Sequence, residues 1–372
     1  MKKKLILILF IGFLLFIQPL SAQTWKATKR LTKTSGTSWG PTVATDSNGH
    51  IHVVWYDDTP GSWQLYFKRS TDGGNTWTTK RLTWTGMAYY PAMAIDLSNN
   101  IHLTWCAGNE IYYKRSTDGG TNWTTKRITW NIGVSQRPSI AVDFNNHIYV
   151  VWQDLTPGNN EIYYKRSTDG GVSWIGKRLS WGSGNSEHPA IAVDSNNHLY
   201  TVWSDNSLGS NYEINYKRST NGGVIWTHKR LTFSSGDSKY PAIAVDNTNN
   251  IHVTWQENPS WYYIYHKRST DGGHTWTTKR LTWSYIASNP ATAIDLNNNI
   301  HLTYNDSSPG NNEIYYKRST NGGDTWTTKR LTYNSGWSSS PAITTASINN
   351  IHVFWYDDTP GNSEIYYKKG IQ

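Results

Sequence analysis

The chain has 372 residues, with 21 Trp and 24 Tyr against 7 Phe and 3 Met, one cysteine and a formal charge of +9. A single thiol, Cys106, excludes an internal disulfide framework, so the fold must rest on its own core, for which this length suffices. Aromatics that keep a polar handle suit narrow sheet interfaces and sugar-stacking surfaces alike.

In chain order, Lys2, Lys3 and Lys4 precede the apolar run LILILFIGFLLFI, followed by Pro19 and the small residues Ser21 and Ala22. This is the layout of a secretory signal peptide over residues 1–22, with cleavage expected after Ala22. Losing the three lysines takes the formal charge from +9 to +6. The run is short for a bilayer span and no stop-transfer pattern follows, so residues 23–372 are expected to be secreted, extracellular or periplasmic, and free of the membrane.

The mature end opens on TWKATKRLT, and the rest is an array. Seven prolines, Pro41, Pro91, Pro138, Pro189, Pro241, Pro290 and Pro341, open similar segments of the type PAIAVD. Each unit reads as four short strands. PAIAVD is followed by an Asn-rich turn, IHVVW by a polar loop, EIYYKRS by a Gly-Gly turn, and WTTKRLT closes the unit. Helical periodicity is absent. Four-stranded units of this length repeated radially predict an all-β, seven-bladed β-propeller. The last unit supplies only three strands, and TWKATKRLT matches the missing fourth. Trp25–Thr32 is therefore expected to complete the blade begun at Pro341, beside Ile365–Lys368, and to close the ring.

The Gly-Gly turn carries S-x-D-x-G-x-x-W six times: Ser70, Asp72, Gly74 and Trp77 in the first copy. Asp118 and Trp123, Asp169 and Trp174, and Asp271 and Trp276 follow the same form. Asn221 with Trp226 and Asn321 with Trp326 replace the acid by an amide that still makes an Asx-type turn. The carboxylate accepts backbone N–H groups inside the turn, glycine takes the positive φ, and Trp packs beneath. By these motifs the whole mature chain resembles the sialidase-like Asp-box, or BNR-repeat, propellers. The resemblance implies that the boxes are structural and lie on the face opposite the functional one.

Function is therefore expected on the other face, where the loops vary. There the second strand ends in an aromatic followed two residues later by an acid: Asp57, Asp154, Asp205, Glu257, Asp306 and Asp357, with Ala107 in blade 2. A further acid often opens the third strand, as at Glu110 and Glu161. Two readings are open. The aromatics and acids form a ring of sugar pockets, or the aromatics pack between blades and the acids pair with the repeated Lys-Arg dipeptides. The aromatics after the fourth strand, Trp84, Trp130, Trp181 and Trp283, with Phe233 and Tyr333, are candidates for sugar stacking. The two residues before each proline are expected to line the channel mouth. Blades 2 to 5 place Tyr89-Tyr90, Gln136-Arg137, Glu187-His188 and Lys239-Tyr240 there, so Arg137, Glu187, His188, Lys239 and Tyr240 are the candidates for acid–base chemistry on an acidic sugar.

Other patterns carry less. His52, His102, His252, His301 and His352 share a slot with Tyr149 and Tyr200, a poor exchange for a zinc ligand, and read as packed histidines. The D-x-N-N turns lack the length and glutamate of a calcium loop, so neither metal nor cofactor is expected. Basic residues recur around the whole ring without forming a stripe, which argues against nucleic acid.

An exo-sialidase would need three converging arginines, and the resemblance also implies an Arg-Ile-Pro element and six blades. The Arg-Ile-Pro is missing, and nearly all arginines belong to the evenly spaced dipeptides. The expected function is a lectin-like, carbohydrate-binding propeller with several similar sites. The alternatives are a sialidase-like hydrolase, a polysaccharide lyase at the channel mouth, and a protein-binding scaffold.

Overall fold

A computed structural model describes residues 23–284, 286–347 and 350–371; the expected signal peptide lies outside them. These residues form seven antiparallel sheets. Blade 1 consists of Ser38–Thr45, Ile51–Asp57, Gln64–Ser70 and Thr78–Arg81, hydrogen-bonded in that order. Blades 2 to 6 repeat it over residues 88–127, 135–178, 186–230, 237–280 and 287–330. The β-branched and aromatic second strands are buried almost end to end, because both their faces meet a neighbouring blade. The core lies between the sheets. One cluster joins Val54, Leu65 and Leu82 of blade 1 to Met93, Leu103 and Trp105 of blade 2.

Blade 7 comprises Ser338–Ser347, Asn350–Asp357 and Glu364–Ile371, and its outer edge comes from the other end of the chain. Thr24–Trp25 and Lys29–Arg30 both run antiparallel to Glu364–Ile371, pairing Trp25 with Gly370 and Arg30 with Tyr366. The closing strand is thus two short pieces instead of one. Leu31 N donates to Ile365 O (2.7 Å), and Arg30 pairs at 2.7 Å with the fully buried Glu364.

Each Asp-box also fastens neighbouring blades. Ser167 Oγ donates to Asp169 Oδ1 (2.7 Å) and accepts from Gly171 N (2.8 Å), while Ser173 N donates to the same carboxylate (2.9 Å). Trp174 donates from Nε1 to Gly171 O (3.1 Å), and its ring meets Tyr113 of the preceding blade edge-on at 5.2 Å. Gly171 must be glycine: φ is +93°, and a Cβ there would stand 2.2 Å from the Tyr113 ring. Trp77, Trp123, Trp226, Trp276 and Trp326 meet Tyr367, Phe67, Tyr164, Tyr216 and His266 in the same way. At the seventh junction, where the box is missing, Trp25 takes the tryptophan's place against Tyr316 at 5.0 Å.

The recurrent histidines are buried and internally bonded. His102 Nδ1 and Nε2 contact Tyr113 Oη (2.8 Å) and Asp96 (3.1 Å), and Tyr149 Oη donates to Asp143 (2.8 Å) from the equivalent slot. Burial holds His52 down to about 4 and His266 and His352 down to about 3. The unfolded chain takes up these protons near 6.5, above the folded values, so the unfolded state binds more protons as pH falls through that window. Folding stability is therefore expected to be full above about pH 6.5 and to decline steadily toward pH 4. Thermal midpoints measured across that range check this; a midpoint constant from pH 7 to 4 would contradict it.

Candidate functional site at the channel mouth

The first strands begin three residues before the proline, or four in blade 5, and each is bulged there. In blade 3, Gln136 pairs with Gln153, and pairing resumes only at Ser139 with Val151. Proline has no N–H to lose at an unpaired position, and the bulge re-aims the residue before it. That residue is left-handed in every blade: Gly40, Tyr90, Arg137, His188, Tyr240, Asn289 and Ser340 have φ between +50° and +57°. Six of the seven are not glycine, and a non-glycine residue in this region before proline costs about 1–3 kcal/mol. The one glycine has a steric reason, since a Cβ on Gly40 would stand 2.4 Å from the Tyr56 ring.

These residues and the seven prolines line a cavity of about 370 Å³ at the axis. Arg137 stacks on Tyr90, with Cζ 4.4 Å from the ring centroid and Nη2 3.3 Å from Oη. Among the described residues no carboxylate lies within 4.0 Å of this guanidinium. Beside it His188 meets Tyr240 edge-on at 4.3 Å, and both of its ring nitrogens are buried without a hydrogen-bond partner. Burial first, and then the Arg137 and Lys239 cations, hold His188 down to about 3, so it is neutral at neutral pH. Gln153 anchors the bulge by accepting His188 N–H (3.0 Å), and Gln256 does the same for Asn289 (3.2 Å).

Sequence reasoning passed over this slot, which lies between the second-strand aromatic and its acid. It also missed Tyr56 and Trp63, which complete an aromatic cluster beside the mouth with Trp39 and Tyr89, both expected there. Trp63 stacks on Trp39 at 5.5 Å and meets Tyr56 edge-on at 5.2 Å, with Tyr89 6.1 Å away.

Three expectations are corrected by this geometry. Only the second residue of each pre-proline pair lines the mouth, because the first keeps its strand pairing. Glu187 turns to Asn160, accepting its Nδ2 at 2.9 Å, with its carboxylate 4.0 Å from His188 Nδ1. Lys239 pairs with Asp237 at 3.0 Å over the Tyr212 ring.

The second-strand acids do not face solvent as sugar-binding groups. Asp57, Asp154, Asp306 and Asp357 are buried, and Asp205 and Glu257 nearly so. Asp154 accepts from Trp152 Nε1 (3.0 Å), Ser135 Oγ (2.7 Å) and Thr156 N (2.9 Å). Asp205 repeats the set with Trp203, Ser186 and Ser207. Glu257 takes Trp255 and Ser238, Asp57 takes Ser38 and Thr59, Asp306 takes Ser284 and Ser308, and Asp357 takes Ser338 and Thr359. In blades 1, 3, 4 and 7 these contacts pin the loop to the first strand.

Nor do these acids pair with the dipeptides; the third-strand acids do, as in Arg178–Glu161 and Arg230–Glu213, both 2.7 Å.

The rim aromatics stand where the sequence places them, on the face opposite the Asp-boxes. Trp84, Trp130, Trp181 and Trp283 are 62–69% exposed, Phe233 and Tyr333 more so. Each lies beside the arginine of its own fourth strand, from 4.5 Å for Arg330 on Tyr333 to 6.0 Å for Arg81 on Trp84.

Six boxes in a seven-bladed ring specify a lineage, and a family model, the BNR repeat-like domain, matches residues 15–253. The chain belongs to this BNR-repeat family of sialidase-like propellers. No curated protein matches the sequence. Among solved structures, a protein of unknown function from Dyadobacter fermentans is similar over 92% of this chain and 99% of its own, at 16% identity and a TM-score of 0.59. The GH93 α-L-arabinofuranosidase of Fusarium graminearum, in complex with arabinobiose, covers 76% of this chain and 92% of its own at 12% identity, with a TM-score of 0.58. A Hadza microbial sialidase covers 86% and 76% at 15% identity and a TM-score of 0.52. At such identities the likeness extends to the fold of this BNR propeller alone.

Proposed function

We propose that this BNR propeller is a secreted, lectin-like carbohydrate-binding protein that holds glycans on the face opposite its Asp-boxes. One observation carries the reading: six large aromatic side chains, 62–78% exposed, recur at one position in six blades on that face. An apolar ring left in water has unused burial free energy, which the C–H face of a sugar can take up. Six such rings on a rigid frame give avidity without any single tight site. Two of the similar structures are named for enzymes acting on sugars, which supports a carbohydrate ligand. Secretion rests on the composition of residues 1–22.

The channel mouth adds selectivity for an acidic sugar, since no carboxylate among the described residues pairs with the Arg137 cation. Among the described residues its lining holds no Asp or Glu, whereas glycoside hydrolysis commonly uses a pair of carboxyl groups. A second reading is favoured by the neutral, unpartnered His188 beside Tyr240: β-elimination of a uronate polymer. Arg137 would neutralise the carboxylate while His188 or Tyr240 takes the α-proton, the bond from the β-carbon to the glycosidic oxygen breaks to leave a C=C bond, and the departing oxygen takes a proton from water.

A glycan array run beside hydrolase and lyase assays tests both. The lectin reading expects saturable binding at a stoichiometry above one without turnover, and a few-fold loss of affinity in Trp181→Ala, about 1 kcal/mol. Binding unaltered when Trp130, Trp181 and Trp283 are all replaced by Ala would refute it. Turnover of polygalacturonate that vanishes in His188→Ala would establish the lyase instead.

A further inference from the structure

On the carbohydrate reading above, we infer that blade 2 carries a continuous trough from the rim at Trp84 to the channel mouth at Arg137, built for an acidic oligosaccharide rather than a single sugar. Three cavities of about 320, 430 and 370 Å³ lie in sequence along it. The outer and middle ones share Gly86, Ala107 and Gly108 as walls; the middle and inner ones share Tyr90. Each falls within the range of small-molecule sites, about 300–1,000 Å³.

The trough exists because blade 2 lacks a loop. Its second and third strands are joined by Gly108 and Asn109 alone, with φ of +55° and +68°, the two left-handed residues of a type I′ hairpin. The other blades place residues 58–63, 155–160, 206–212, 259–262, 307–312 and 358–363 at this point. Ala107 stands where the other six blades have an acid, which in most of them binds the loop, and with no loop there is nothing to pin.

The chemistry is graded along the path. Trp84, 62% exposed, offers a stacking face at the outer end, and Tyr89 and Tyr90 flank the middle. The unpaired charge of Arg137 stands at the inner end. A glycan laid along it would stack its outer residues and set a carboxylate at the axis.

Calorimetric titration with galacturonic acid and with oligogalacturonates of increasing length tests the trough. Two variants fill it: the residues of the 155–160 loop in place of Gly108-Asn109, and Ala107→Trp, which leaves the hairpin intact. Affinity of the unmodified chain is expected to rise at least about tenfold from monosaccharide to longest oligomer, equivalent to about 1.4 kcal/mol. Both variants are expected to lose that gain, so that their affinity no longer rises with oligomer length. Length-independent affinity in the unmodified chain, or full length dependence in a folded filled variant, overturns the trough and leaves the lectin reading standing. No binding of acidic or neutral glycans by the unmodified chain overturns both.

Discussion

Deleting residues 23–32 is expected to abolish cooperative folding, although it removes none of the residues at the channel mouth. Glu364 is fully buried and depends on Arg30 Nη2 (2.7 Å) and Thr34 N (2.9 Å). Removing the arginine leaves a buried carboxylate without its counter-charge, a change that costs about 3–5 kcal/mol by itself. The deletion also strips Leu31 from the cluster of Ile51, Trp55, Phe354 and Ile365. It removes Trp25 from Tyr316 and leaves the edge of Glu364–Ile371 without its partner. Against a typical domain stability of about 5–15 kcal/mol, these losses together exhaust most of what holds the ring. Circular dichroism on heating would show it, and a synthetic peptide spanning residues 23–33 should restore the transition when added in excess. A deletion variant melting like the full chain would mean that the ring does not depend on this closure.

The second large effect is expected from Arg137→Ala. Among the described residues its guanidinium is the one cation lining the mouth, and hydrogen bonds to charged groups are worth about 1.5–3 kcal/mol. Affinity for oligogalacturonates should therefore fall by roughly 10- to 100-fold, with neutral oligosaccharides unaffected. Arg137→Lys should recover part of the loss, because a lysine keeps the charge without the planar fork. The same substitution removes one of the cations that depress His188, so the His188 titration should move upward in Arg137→Ala, while burial still keeps it below 6.5. Equal affinities of wild type and Arg137→Ala for acidic sugars would exclude the mouth as the anion site.

The repeat made the ring legible. TWKATKRLT could be matched to its six siblings, and the count of six boxes in seven blades pointed to the closure that Trp25 and Arg30 make. Repetition misled where it was read as function. The second-strand acids recur because most of the loops are pinned to their blades by them, and accessibility separates them from the equally regular rim tryptophans. The mouth was half legible. Arg137, His188 and Tyr240 stand out as irregular positions before proline, but strand alternation alone places Glu187 and Lys239 beside them. The bulge sends only the later residue of each pair to the axis. The trough was illegible because it is made by what blade 2 omits. Gly108-Asn109 reads locally as a tight turn, and only the neighbouring loops show that space opens above it.

Oxidative footprinting of aromatic residues, read by mass spectrometry with and without saturating oligogalacturonate, decides which face holds the ligand. Protection is expected at Trp84, Tyr89, Tyr90 and Tyr240, with Trp123 and Trp174 beneath the Asp-boxes labelled as in the free protein. Protection centred on Trp123 and Trp174, with Trp84 and Tyr90 still fully labelled, would place the ligand on the opposite face and contradict it.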